Sequence, residues 1–360
     1  MKLDFVIYAN SNHTGFGTHA RGVMKALCLA GKNIAFVPVQ PIAHQIIDSP
    51  WLEWLERSLR NREYLTGKDP AIMIHHAESM IRFCGKPRCG FAIFETNKIH
   101  AKDIVYYKTL DKILVPSQWG KQVLIDNGLD GNEIMIMPEG YDPENYYVKH
   151  SIDEVIHRWK QRGYLSFFHC GKYEDRKSST MIIHAFQQAV NESGVMAQLY
   201  MKCENPFNGI WFEEFEHARG DCEFIHTYGQ GNIENMDILY HNFDFGLYAS
   251  KGEAFGLPII ESIACGLPTI TSNWSGQSEY LKEYPRELLI TKGTQELAND
   301  GMFFNGNHGN WIVPDYDQLV EKIKYVLENA EDIYRNARQK CVDSVKDFTW
   351  KNAVRRLIDG

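Results

Sequence analysis

Apolar, β-rich runs alternate with helical patterns along almost all of this chain, and the series is played through twice. In the first half the expected strands are Leu3–Ala9, Asn33–Val39, Ala71–His75, Phe91–Phe94, Lys112–Pro116 and Glu133–Met137. Helices are expected at Gly17–Ala30, Pro50–Arg60, Ile99–Leu110 and Ser117–Asn127. Several of these strands are continuously rather than alternately apolar, as strands covered on both faces are. Strand–helix alternation of this kind builds parallel sheets clad in helices, an α/β fold.

The pattern weakens between Pro138 and Gly163, where Gly140 and Pro143 interrupt it and charge rises, so a domain boundary is expected there. A second series follows, with strands at Leu165–Cys170, Gln198–Lys202, Glu223–His226, Phe243–Ala249 and Thr269–Ser272. Its helices are expected at Ser178–Val190, Phe207–Ala218, Ile233–Tyr240, Pro258–Cys265 and Asp317–Asn329. The expected division is 1–150, 151–345 and a terminal helix in 346–360. At 360 residues the chain can bury two cores. Doubly wound sheets bind ligands beyond the carboxyl ends of their strands, here expected in a cleft between the two domains.

The segment Ser250–Glu279, SKGEAFGLPIIESIACGLPTITSNWSGQSE, holds the densest chemistry. Glu253 and Glu261 bracket a turn and the start of an apolar helix. Pro258 suits a first helical turn, where a missing N–H costs nothing, and Gly266 suits the end. Unpaired N–H groups at the helix start favour an anion such as a diphosphate, while ionised carboxylates accept from sugar hydroxyls. Anion plus polyol is the profile of a nucleotide sugar.

These residues resemble the Glu–seven residues–Glu signature of the retaining, GT-B-fold glycosyltransferases (glycosyl transferases group 1), which include sucrose synthases and bacterial mannosyltransferases. Ala254, Ser262 and Ile263 depart from the usual Gly, Ala and Met without removing a charge. The resemblance implies two Rossmann-like domains and transfer of a sugar from a UDP- or GDP-linked donor to an acceptor hydroxyl. It also implies a last helix, Trp350–Asp359, that crosses back onto the first domain. By the same resemblance Glu253 touches the sugar hydroxyls and Glu261 the ribose. Phe255, Gly256 and Leu257 offer backbone amides.

Gly171–Lys177, GKYEDRK, follows the first strand of the second series, and three cations there suit a diphosphate. It resembles the family's G-R-x-x-x-x-K-G motif, with Lys172 in the Arg place, Lys177 in the Lys place, and Ser178 where glycine is usual. Lys172, Arg176 and Lys177 are then the phosphate ligands. Gly15 and Gly17 lie in the first strand–helix turn, where the family's glycine-rich loop approaches the donor. His75 and His76 end the third strand, and at most one of two neighbours can face the ligand; a buried or capped histidine fits equally. Glu95, in Phe94-Glu95-Thr96-Asn97, is a candidate acceptor ligand, with an Asn97 helix cap as the plainer alternative. Glu139 stands where relatives often have Asn or His.

Asp315-Tyr316-Asp317 matches the metal-binding Asp-x-Asp of the other major glycosyltransferase fold, but it opens QLVEKIKYVLENA, and Asp317 reads as a helix N-terminal residue. No metal and no cofactor is therefore expected. A net charge of −8 argues against nucleic acid or anionic membrane, and Arg57, Arg60, Arg62 and Lys68, or Arg82, Lys86 and Arg88, read as solvated faces. The 8 cysteines form no Cys-x-x-Cys pair and read as reduced thiols of a cytoplasmic protein. MKLDFVIYAN reads as a strand rather than a signal peptide, and no apolar run reaches the roughly 18 residues of a membrane span. A sugar-nucleotide epimerase of the same fold and a non-catalytic relative are the alternatives; the acceptor (glycan, lipid, protein or modified nucleobase) stays open.

Overall fold

The computed structural model describes residues 1–12, 14–42, 49–229, 231 and 236–359. The chain divides into two compact units, Met1–Asp142 with Phe348–Gly360, and Pro143–Asp347.

The first unit runs β1 (Phe5–Ala9), α1 (Gly15–Leu29), β2 (Ile34–Pro38), α2 (Ser49–Arg60), β3 (Ala71–Ile74), β4 (Arg88–Phe91), α3 (Ala101–Tyr107), β5 (Lys112–Val115), α4 (Gln118–Asp126) and β6 (Ile134–Ile136). Its sheet is parallel, in the order β2-β1-β3-β4-β5-β6. The order reverses direction at β1, so the loops after β1 and β3 lie side by side, with Ala9 paired to Ile74. Such a switch point opens a crevice at the carboxyl ends.

β4 sits earlier than the expected Phe91–Phe94. The Arg88 guanidinium leaves the strand to bond Thr109 O at 2.8 Å, and Gly90 lets Met80 and Leu110 pack onto the backbone. Apolarity alone had favoured the residues after Gly90. His75 and His76 lie just past β3 rather than in it.

The second unit runs α5 (Ile152–Arg162), β7 (Leu165–Cys170), α6 (Ser179–Ser193), β8 (Ala197–Lys202), α7 (Trp211–Arg219), β9 (Ile225–Thr227), α8 (Met236–His241), β10 (Phe245–Tyr248), α9 (Leu257–Ala264), β11 (Thr269–Ser272), β12 (Leu289–Ile290), β13 (Gly293–Asn299), β14 (Asn305–Pro314), α10 (Tyr316–Asn336) and α11 (Arg338–Val345). α12 (Trp350–Asp359) then belongs to the first unit. The second parallel sheet has the order β12-β11-β10-β7-β8-β9.

Helices α5 and α11, strand β12 and the antiparallel hairpin β13–β14 were not anticipated. α5 begins at a reciprocal capping box between Ser151 and Glu154. The helix expected at Ile233–Tyr240 is seen as Met236–His241; Ile233 to Asn235 lie outside the described residues.

Candidate active site

β7 and β10 are neighbours, and the loops at their carboxyl ends carry the two charged motifs. The loop after β7 makes a short 3-10 turn, Asp175–Lys177, and Ser178 then adopts φ 55°, the left-handed region. That conformation explains the glycine usual at this place: a Cβ is strained there. The turn throws Arg176 and Lys177 toward the loop after β10. Lys177 Nζ lies 2.5 Å from Glu253 Oε1, and Arg176 Nη1 lies 3.1 Å from Glu253 Oε2. Arg176 also donates to Gly252 O at 2.8 Å and pairs with Glu174 at 2.8 Å.

Glu253 is only 6% exposed. Burial pushes its carboxyl up, and the cations Lys177 and Arg176 more than offset burial and hold it at about 2. The carboxylate is thus ionised across the physiological range, with both oxygens engaged by cations. Ser275 fixes the backbone beneath it by accepting from Glu253 N at 3.0 Å. Gly276 lies so close that a Cβ there would stand 1.7 Å from Ala254 O, which only glycine avoids.

Lys172 extends the chain of charges. Its ammonium lies 3.0 Å from Glu174 Oε2 and over the rings of Phe207 and Phe303, at 5.2 and 5.0 Å. Glu174 therefore bridges Lys172 and Arg176, a role the sequence reading missed. Lys251 pairs with Asp175 at 2.6 Å and stacks on Trp311 of the hairpin at 4.9 Å, tying the two motif loops to β14. Behind these cations stands His169 of β7. Its Nδ1 faces Leu247 O at 2.9 Å, so Nδ1 carries the proton and Nε2 is a lone pair, buried without a partner. Burial pushes its pKa down to about 4, keeping it neutral.

Gly256 caps α9 in the left-handed region, at φ 89°, and Pro258 occupies the first turn. Phe255 is buried, and the Phe255 and Gly256 carbonyls accept from Tyr280 Oη at 3.0 and 3.2 Å. Leu257 is the first residue of the helix, at the end where the dipole favours an anion. Glu261, one turn on and 7% exposed, accepts from Tyr240 Oη at Oε2, 2.9 Å away.

The remaining candidates lie in the first unit. A Cβ at Gly17 would stand 2.1 Å from Asn12 O, so this glycine is required by close packing; Gly15, the first residue of α1, has nothing within 4 Å of that position. His75 is buried, with Nδ1 2.7 Å from Ser79 Oγ and Nε2 without a partner, and burial lowers its pKa. His76 is exposed, and the Phe16 ring packs against both, at 5.9 and 4.8 Å. Glu95 is half-buried beyond β4. Asn97 does not cap α3: His100 does, accepting from Lys102 N at 3.3 Å. Glu139 is buried, 2.6 Å from His19 Nδ1.

Asp317 lies in the first turn of α10, as expected, and Asp315 is its N-cap, accepting from Gln318 N at 2.8 Å. Among the described residues no three His, Cys, Asp or Glu side chains gather as a metal site. No helix among them is long and apolar enough to cross a membrane.

Residues 164–343 match the family described as Glycosyl transferases group 1. The O-antigen chain mannosyltransferase B of Escherichia coli is 22% identical over 350 residues, 91% of this chain and 82% of that relative. The GDP-mannose-dependent alpha-(1-6)-phosphatidylinositol dimannoside mannosyltransferase of Mycobacterium tuberculosis is 23% identical over 323 residues, 89% and 73% of the two chains. In structure, Anabaena HepE, solved in complex with UDP and glucose, aligns over 99% of this chain and 98% of its own with a TM-score of 0.67 and 11% identity. That likeness shows the fold, two Rossmann-like α/β units in the GT-B architecture.

Proposed function

Since this chain belongs to glycosyl transferases group 1 and is a glycosyltransferase, we propose that it moves a sugar from a nucleoside diphosphate to an acceptor hydroxyl, retaining the anomeric configuration and requiring no metal. The observation that carries this reading is the buried cluster of Glu253, Lys177 and Arg176. Two cations fixed beside a carboxylate offer both halves of a nucleotide-sugar site: positive charge for the β-phosphate and an acceptor for sugar hydroxyls.

In this scheme the donor's diphosphate lies against Lys177, Arg176 and the N-terminus of α9, with Lys172 at the outer edge. Negative charge grows on the leaving phosphate as the sugar–oxygen bond breaks. Preorganised cations in a dry site stabilise that change without reorganising. Glu253, kept anionic, receives sugar hydroxyls and orients the ring. Retention follows from front-face attack, with the departing phosphate taking the acceptor's proton, so no protein nucleophile is needed. Glu261 holds the ribose. Gly15, Gly17, His75 and Glu95 are the first unit's contribution to the substrates, and His75 fits this role better than exposed His76. The eight free thiols suit a cytoplasmic site of action. UDP- and GDP-linked donors both remain candidates, as do glycan, lipid, protein and nucleobase acceptors.

The test is titration of UDP- and GDP-sugars in EDTA, followed by transfer assays that read the product's anomeric configuration by NMR. One donor should bind, and Lys177→Ala should weaken its nucleoside diphosphate roughly ten- to hundredfold, the value of one charge-assisted contact. Transfer should fall further than binding, because the contact strengthens in the transition state. A Lys177→Ala protein that binds and transfers within about twofold of the original overturns the phosphate site. An inverted product overturns retention.

A further inference from the structure

Lysine stands at 172 where the family motif has arginine, and the exchange has a physical consequence. A guanidinium is a rigid planar fork already shaped for a phosphate, whereas an ammonium is a compact charge on a flexible four-carbon stem. A lysine in that place needs something else to hold it. Three groups do so. Glu174 Oε2 lies 3.0 Å from Lys172 Nζ, and the ammonium lies over the rings of Phe207 and Phe303, 5.2 and 5.0 Å from their centroids. The two rings meet edge to face, 5.5 Å apart.

Both rings stand on loops that are themselves fastened. Phe207 follows β8, the strand beside β7, and its N–H donates to Asn205 Oδ1 at 3.1 Å. Buried Asn205 donates in turn through Nδ2 to Tyr173 O at 2.9 Å, and so ties the loop of Phe207 to the loop of Lys172. Phe303 lies in the turn between β13 and β14. There Asp300 Oδ1 accepts from the N–H groups of Met302, Phe303 and Phe304 at 2.9, 2.8 and 2.8 Å. Neither ring belongs to the core: Phe207 is 56% exposed and Phe303 46%. What they share is the ammonium that both of them face.

The arrangement leaves Lys172 usable. Its side chain is 36% exposed, against 11% for Lys177. A ring attracts a cation through the quadrupole of its face, without the opposite charge that a second carboxylate would bring. The ammonium is steadied and stays positive.

We propose that Phe207 and Phe303 are positioning residues that hold Lys172 for the donor's diphosphate, an aromatic clamp in place of the rigid fork of arginine. Hairpin β13–β14 supplies half of that clamp. This rests on the reading of Lys172 as a phosphate ligand. A cation already in place loses less freedom when the ligand arrives, so the clamp raises affinity for the diphosphate.

The experiment titrates UDP and GDP into the full chain and its variants by calorimetry, with a melting temperature recorded for each. Lys172→Met should weaken the preferred nucleotide by about tenfold, one charge-assisted contact. Phe207→Leu and Phe303→Leu keep apolar bulk and lose the ring, and each should weaken it by about two- to fivefold, as loss of a half-exposed cation–ring contact does. The two together should lose no more than Lys172→Met. Phe303→Trp, with the stronger ring, should bind at least as tightly as the original. In a Lys172→Met background Phe303→Leu should change nothing, because its effect passes through the ammonium. A Phe207→Leu, Phe303→Leu protein that binds as the original or more tightly overturns the proposal and leaves the proposed function standing. So does a Phe303→Leu loss that persists undiminished without Lys172, the mark of a ring that only supports the loop. Lys172→Met binding as the original removes Lys172 from the phosphate site, and this inference with it, while Lys177 and Arg176 keep their role. Failure of the original protein to bind either nucleotide removes the proposed function as well.

Discussion

Ser178 shows how a single backbone angle can be read from a departure in sequence. Where relatives have glycine this chain has serine, yet the backbone keeps φ 55°. The left-handed conformation costs a residue with a Cβ roughly 1–2 kcal/mol, and the Ser178 hydroxyl is buried without a hydrogen-bond partner. Ser178→Gly removes both penalties and returns about 0.5–1 kcal/mol of chain entropy to the unfolded state. The expected net effect is stabilisation by about 1 kcal/mol, read from urea midpoints. A loss of stability would show that the surrounding loop is built around the serine. Residues of this kind, and the charges of Glu253, Arg176 and Lys177, were legible because their chemistry is local. The phenol of Tyr240 was not, since a tyrosine ending a helix looks unremarkable until tertiary structure turns it toward Glu261. Nor did spacing announce that Glu174 would bridge Lys172 and Arg176.

At the scale of elements, the sequence showed most strands of the two parallel sheets and missed β12 and both strands of the hairpin. Leu165–Cys170 and Thr269–Ser272 appear as expected. The hairpin β13–β14 escaped because five of the first six residues of β13 are exposed or carry no apolar alternation, while β14 is broken by Gly306 and Gly309. It is held by register with its partner strand, by Ile312 N bonding Lys251 O at 3.0 Å, and by Trp311 beneath Lys251. Helix α10, which follows, begins within the Asp-x-Asp sequence. Asp315 accepts from Gln318 N, and Gln318 in turn accepts from the Thr291 and Lys292 amides at 2.8 and 2.7 Å. Asp315→Ala should therefore cost about 1 kcal/mol of stability, as loss of an N-cap does, and leave transfer in EDTA at its original rate. Activity that vanishes on chelation, returns with manganese and is abolished by Asp315→Ala would make these aspartates metal ligands after all.

At the scale of the whole molecule, the chain leaves its first unit at Asp142, builds the second, and returns at Phe348 to complete the first. The return is knitted into the backbone. Tyr141 N donates to Phe348 O at 3.1 Å, Trp350 N donates to Tyr141 O at 3.3 Å, and Tyr141 pairs with Thr349 in a parallel bridge. α12 then lies on α1 at a place made for it: a Cβ on Gly22 would stand 2.2 Å from the Trp350 ring, and the His19 ring, paired with Glu139, lies 5.3 Å from that of Trp350. The family resemblance pointed to α12, but the glycine that receives its tryptophan sits more than three hundred residues away and carried no signal. Trp350→Ala should empty this contact, at about 3–5 kcal/mol for a buried tryptophan. For a unit of this size that lowers melting by roughly 6–20 °C. Scanning calorimetry should show the loss in the transition of the unit that contains α1 and α12, with the transition of Pro143–Asp347 left in place. Equal displacement of both would mean that the terminal helix supports the molecule as one cooperative body; no displacement would mean that the first unit closes without it.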